Sequence, residues 1–281
     1  MSPEDARHAI GIAASKSAGI RVAFGTMTKP YHSGAAAENG VVAAKLARLG
    51  YRTDANALDG QWGFFQVVGG GADPHLLLDK LGSPYTLVDP GVSIKPYPCG
   101  SLAHPSMDTL LELVLEHDVK PEDVEEMRLG TSSNVLNPLR YQRPRNELEA
   151  KFSIPFCMAI LVLERKGGIG EFTDETVQRP DVQDMMERVT PYLHEGIEAQ
   201  GFERIRSLVE VKLRNGQVLS REATTSRGTP ERPMTPAELA EKFHDRARGI
   251  MTETRGDEIL GMDYEIDKVD DVKQLTSLLR R

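Results

Sequence analysis

The chain has 281 residues, 40% hydrophobic and 27% charged, the composition of an ordinary soluble protein of one or two domains with enough apolar material for a real core. A net charge of −8 disfavours bulk binding to nucleic acid or anionic membrane, although a local pocket takes its charge from its neighbours. Cys99 and Cys157 stand far apart without CxxC or Cys/His ligand spacing, so no metal is expected and both read as free thiols of a reducing compartment. The start lacks the basic and apolar regions of a signal peptide, and the longest apolar run, 152–163, is too short to span a bilayer. A cytoplasmic location is expected.

In chain order, small residues at helical spacing (Ala6, Ile10, Ala13, Ala14) predict a closely packed helix over 5–20. Residues 24–34 read as a loop, with Ser33 as N-cap of a second helix over 34–49 that Gly50 ends. Shorter helices are expected near 58–68 and 74–81. Tyr85–Val88 and Val92–Ile94 read as extended, 102–117 as a helix with Leu110, Leu111, Val114 and Leu115 on its face, and 124–131 as a strand. An apolar helix follows over 146–165. Asn215-Gly216 between alternating runs predicts a hairpin within 210–224. A Pro-rich turn at 229–235 leads through Thr235-Pro236-Ala237-Glu238, a capped helix start, into a helix to about 250, and a last helix covers 268–280. The pattern runs helical, mixed, helical. The expected fold class is α and α+β: a helical domain from 1–90 with 235–281, and a smaller α+β lid over 91–234.

Three segments carry chemistry. In Thr26-Met27-Thr28-Lys29-Pro30-Tyr31-His32, a stiffened lysine precedes a helix N-terminus, and Lys29, His32, Thr26 and Thr28 could together hold a carboxylate. The competing reading is a solvated surface loop. In Lys95-Pro96-Tyr97-Pro98-Cys99, another lysine precedes proline, and His104 falls near a helix start as a possible acid or base. A structural loop with a surface histidine is the alternative. Tyr141-Gln142-Arg143-Pro144 offers a hydroxyl and a guanidinium fork, or else a hinge loop. A basic residue before proline also occurs at Lys120, Arg179 and Arg232, so that spacing alone is weak. No Gly-x-Ser-x-Gly, Rossmann or phosphate-loop fingerprint is present, and no cofactor is expected.

Phe24 to His32 followed by Ala35-Ala36-Ala37-Glu38-Asn39-Gly40, then Lys95-Pro96-Tyr97-Pro98-Cys99 with His104 and Asp108, then Tyr141, Arg143-Pro144 and Glu149 to Ser153, resemble the MmgE/PrpD family in order and spacing. That family includes 2-methylcitrate dehydratase, cis-aconitate decarboxylase and iminodisuccinate epimerase. The resemblance implies a large helical domain, a smaller α+β lid and an active site in the cleft between them. It also implies a homodimer without metal or cofactor. It places active-site lysines at Lys29 and Lys95, a lid tyrosine at Tyr141 and a histidine at His104; Thr26, Thr28, His32 and Arg143 are expected as substrate contacts on the residue chemistry given above.

The implied activity is a cofactor-independent lyase acting on a small di- or tricarboxylate, with a hydro-lyase favoured. The decarboxylase branch carries a histidine five residues after the second lysine, where this chain has Gly100. Epimerase and decarboxylase remain alternatives, as does an inactive family member that only binds or dimerises. The family also carries well over a hundred residues before the point where this chain begins, holding an Asp, a Thr and a His of the catalytic set. The expectation is therefore a truncated gene model, a remnant, or a separate chain supplying the missing helices, with faces such as Val41/Val42/Leu46 left without partners.

Overall fold

A computed structural model describes residues 1–73 and 75–280. Contacts divide the chain into two compact units, 1–91 and 92–281, each described by itself. The first contains helices α1 (Pro3–Ser15), α2 (Thr28–Arg48), α3 (Phe64–Gly69) and α4 (His75–Leu78). Ser2 and Asp5 form a capping box at the start of α1, with Pro3 in its first turn. Helices α1 and α2 pack through Ala9, Ile12, Ala43 and Ala47, whose small side chains let the backbones approach.

Helix α2 begins six residues earlier than the sequence predicts, which puts Ser33 inside the helix rather than at its cap. Thr26 supplies the start instead: its Oγ1 accepts the Thr28 N–H at 3.2 Å. Pro30 lies within the first turn, where a missing N–H costs no helical bond. Leu46 packs on the small α1/α2 core, Val42 is half-buried and Val41 is exposed. The expected helix at 58–68 forms only from Phe64, and of the one expected at 74–81, Pro74 lies outside the described residues while α4 covers four of the rest. Tyr85–Val88 is not extended: the Val88 and Asp89 N–H groups both turn back to the Tyr85 carbonyl.

The second unit holds, in order, α5 (His104–Glu116), β1 (Val124–Thr131), α6 (Ser133–Leu136), α7 (Glu147–Ala150), α8 (Ile154–Glu164), α9 (Asp174–Gln178) and α10 (Pro180–Glu187). There follow β2 (Val189–Leu193), α11 (Glu195–Glu198), β3 (Ser207–Leu213), β4 (Val218–Ala223), α12 (Pro236–Ala247), α13 (Glu253–Tyr264) and α14 (Lys273–Leu278). The sheet runs β2-β1-β3-β4, with β1 and β2 parallel and the other pairs antiparallel. The α and α+β class is thus the observed one. In β3, Ser207, Val209, Val211 and Leu213 point inward, as period-two alternation requires. The β3–β4 hairpin turns where Asn215-Gly216 predicts, with Gly216 at φ +89° and the Gln217 N–H bonded to Asn215 Oδ1.

The core lies between the sheet and helices α5, α8 and α10. Helix α8 is buried from Ile154 through Val162, the signature of a helix with no solvent face. The apolar helix expected over 146–165 is two pieces, because Asn146 caps α7 while Ser153 Oγ accepts the Phe156 N–H and starts α8 anew. On α5 the buried face is Met107, Leu110, Leu113 and Val114; Leu111 is half-buried and Leu115 is exposed. The segment 235–281, grouped with 1–90 in the sequence reading, is tied within this second unit: Arg227 pairs with Glu238, and Asp245 accepts the Ile169 N–H. No described helix is long and apolar enough to cross a membrane.

Candidate active site

The segment from Val92 to Gly100 has no regular structure and is fastened at both ends. The Ile94 N–H donates to the Gly228 carbonyl at 2.7 Å, and the Gly100 N–H donates to the Lys151 carbonyl at 2.8 Å. Lys95 folds back so that its Nζ donates to the Cys99 carbonyl at 3.1 Å, leaving two ammonium hydrogens for a ligand. No described carboxylate lies within ion-pairing distance of Lys95.

His104 opens α5 with Pro105 behind it and is only 2% exposed. Its Nε2 is buried and has no hydrogen-bond partner among the described residues. The Tyr97 ring stands edge-on to the imidazole, centroids 5.5 Å apart. Burial and the Asp108 carboxylate push the Tyr97 hydroxyl far above its usual range, so it remains a donor, and it gives its hydrogen to Asp108 Oδ1 at 2.6 Å.

Lys95 and His104 line one cavity of about 560 Å³, within the size range of small-molecule sites. Ser101, Arg204, Thr224, Thr225 and Arg227 share its wall, and Glu203 and Glu231 lie on it as well. Arg227 is held by Asp108, Tyr97 and Glu238, so Lys95, Arg204, the hydroxyl residues and the His104 imidazole are the groups that can hold an organic anion and move a proton. Cys99 and Cys157 are buried free thiols that share a hydrogen bond. Burial raises the Cys99 thiol, but the Cys157 S–H, His104 and Lys95 outweigh it and bring Cys99 down to about 6. Cys157, holding the shared proton against Cys99, is pushed up.

Of the other expected site residues, Thr26, Thr28, Lys29 and His32 belong to the first unit, and Tyr141 and Arg143 belong to the second. Thr26 Oγ1 is spent on capping: it donates to the Ala23 carbonyl at 2.7 Å and accepts the Thr28 N–H. Thr28 and Lys29 are exposed in the first turn of α2, and His32 is half-buried against Gly19. Tyr141 lies on the loop before α7, its N–H bonded to the Phe152 carbonyl and its hydroxyl accepting from Arg140 at 3.4 Å. Arg143 is exposed and paired with Glu187 at 3.1 Å. Neither Tyr141 nor Arg143 lines the Lys95/His104 cavity. Arg227, Thr224 and Thr225 were missed because they belong to a loop far away in sequence. The only local signal is one arginine in an otherwise uncharged run of hydroxyl residues, Thr224-Thr225-Ser226-Arg227-Gly228-Thr229.

Position 100 is tightly packed. A Cβ on Gly100 would stand 2.7 Å from Leu139 Cδ2, so Leu139 would have to shift, although the φ of −61° suits any residue.

Fold and cavity together define an α+β domain with a hydroxyl-lined hollow that carries Lys95, Arg204 and His104. Residues 1–77 match the MmgE/PrpD N-terminal domain and residues 97–268 the MmgE/PrpD C-terminal domain, and the chain belongs to the MmgE/PrpD family. It is similar to cis-aconitate decarboxylase of Aspergillus terreus, 24% identical over 297 residues that cover 99% of this chain and 60% of that protein. The cis-aconitate decarboxylases of Homo sapiens and Mus musculus are each 24% identical and are matched over 58% of their length by the whole of this chain. The chain thus spans about three-fifths of the length of the curated relatives it matches.

Proposed function

We propose that this chain carries part of a cofactor-independent lyase site for a small di- or tricarboxylate, with Lys95 binding a substrate carboxylate and His104 transferring the proton. The observation that carries this reading is the shared cavity: its wall holds both a lysine with no carboxylate partner and a buried imidazole nitrogen with no hydrogen-bond partner among the described residues. Making the carbon next to a carboxylate reactive builds negative charge on that carboxylate. A fixed cation at the site stabilises this charge more in the transition state than in the ground state. Lys29 is assigned a further carboxylate contact by the family resemblance, with Thr26, Thr28 and His32 joining it on residue chemistry, and Tyr141 with Arg143 is assigned a substrate contact from the lid.

Among the lyase reactions a hydro-lyase is favoured. Five residues after the second lysine, where the decarboxylase branch carries a histidine, this chain has Gly100, and a side chain there would have to displace Leu139. Decarboxylation is the second reading, supported by the cis-aconitate decarboxylases among the relatives. The test is turnover of 2-methylcitrate and cis-aconitate by the purified protein and by Lys95→Ala. The expected loss is about 10²- to 10³-fold in kcat/KM for the variant, the scale for removing one preorganised charge-stabilising donor. Equal turnover by both proteins would remove Lys95 from the mechanism.

A further inference from the structure

Lys95 and His104 are nine residues apart on different elements, joined directly by Tyr97, which bonds Asp108 Oδ1 and sets its ring against His104. The side chain that braces this link from a distant loop is Arg227. Its Nε donates to Asp108 Oδ1 at 3.0 Å and its backbone N–H to Asp108 Oδ2 at 2.6 Å. Its two terminal nitrogens reach Tyr97 Oη at 3.1 Å and Glu238 Oε1 at 3.0 Å. Asp108 lies one helical turn beyond His104 on α5, and Tyr97 lies two residues beyond Lys95 while also packing its ring on His104. The next residue, Gly228, accepts the Ile94 N–H just before Lys95. There a Cβ would sit 1.9 Å from the Ile94 oxygen, so only glycine allows the approach.

We propose that Arg227 and Gly228 form a clamp that sets Lys95 and His104 in one frame, with Arg227 acting as a positioning residue through Tyr97 and Asp108. The proposal rests on the carboxylate-lyase reading for its kinetic consequence but not for its geometry. The guanidinium fork is what the role demands: five N–H donors in one plane satisfy Asp108, Tyr97 and Glu238 together, whereas an ammonium cannot span all three. The Asp108 side chain is 1% exposed, so its two oxygens depend on Arg227 and Tyr97 for their hydrogen bonds.

The test compares Arg227→Lys and Tyr97→Phe with the wild type, using Arg221→Lys as control. Arg221, on β4 itself, also bridges to α5, through Glu116 and Glu112, but it does not line the cavity. Two quantities are measured: the His104 ring resonances in the substrate-free protein, and kcat and KM on 2-methylcitrate and cis-aconitate. Arg227→Lys is expected to move the ring resonances and lower kcat about 10- to 100-fold with KM changed less than about twofold, as misplacement of reacting groups does. Tyr97→Phe, which keeps the ring and removes one hydroxyl, is expected to move both in the same direction by less, and it serves if the lysine variant does not fold. The clamp is overturned if both variants leave the His104 resonances unchanged, or if Arg221→Lys moves them equally. Absence of turnover by the wild type would instead remove the lyase reading, and the ring resonances would still decide the clamp.

Discussion

Gly100→Ala tests the packing argument at the position that separates the two lyase readings. The new methyl would meet Leu139 Cδ2 at 2.7 Å, with the Lys151 carbonyl at 3.5 Å and Phe152 Cδ1 at 3.7 Å behind it. Leu139 is 1% exposed and has little room to retreat, so overpacking should cost about 1–3 kcal/mol. Because φ −61°, ψ 122° suits alanine, the substitution also lowers the entropy of the unfolded chain, which returns about 0.4–1 kcal/mol. The net expectation is a destabilisation of about 0.5–2 kcal/mol. Leu139→Ala alone should cost about 2–5 kcal/mol through its cavity. In that background the added methyl has space, so Gly100→Ala should become neutral or stabilising, a coupling of about 1–3 kcal/mol. Equilibrium urea unfolding followed by far-UV circular dichroism measures all four proteins, while emission from Trp62, the sole tryptophan, follows 1–91 separately. Additive effects, or a Gly100→Ala protein more stable than wild type, would refute the steric reasoning.

Absorbance at 240 nm should show one thiolate forming near pH 6, absent in Cys99→Ser, with Cys157 ionising only above the ordinary thiol range. Since the folded-state value of Cys99 lies below its unfolded value near 9, stability should rise between pH 6 and 9 and fall as pH drops through 6. Urea midpoints across that range should show the rise diminished in Cys99→Ser. Asp108→Ala strands a buried tyrosine hydroxyl and part of a guanidinium, and a loss of about 3–5 kcal/mol is expected in the same urea assay.

Elements whose physics is local were legible in the sequence. The β3–β4 turn announced itself through Asn215-Gly216, α12 through Thr235, Pro236 and Glu238, and β1 lies where it was read. Strand β2 was not read, because Pro191 interrupts its short apolar pattern. The structure seats it at the edge of the sheet, where a missing N–H is tolerated. Helix α13 was missed because Gly256 and Gly261 dilute its signal, although Thr252 caps it. The Lys95–His104 motif was legible as a candidate, and both residues reach one cavity. Arg227 was not, because its link to Asp108 spans 119 residues and no local spacing encodes it.

The two units are unequally anchored. Residues 92–281 enclose Phe156, Phe172, Leu161 and Met158, while 1–91 rest on Ala9, Ile12, Ala43 and Ala47 with Trp62, Leu77 and Leu81 turned outward. At about 0.8 kcal/mol per buried methylene, alanine contacts resist fluctuation only weakly. Partial opening is therefore cheapest in the first 91 residues, and the Lys95–His104 hollow is built on the half that opens last.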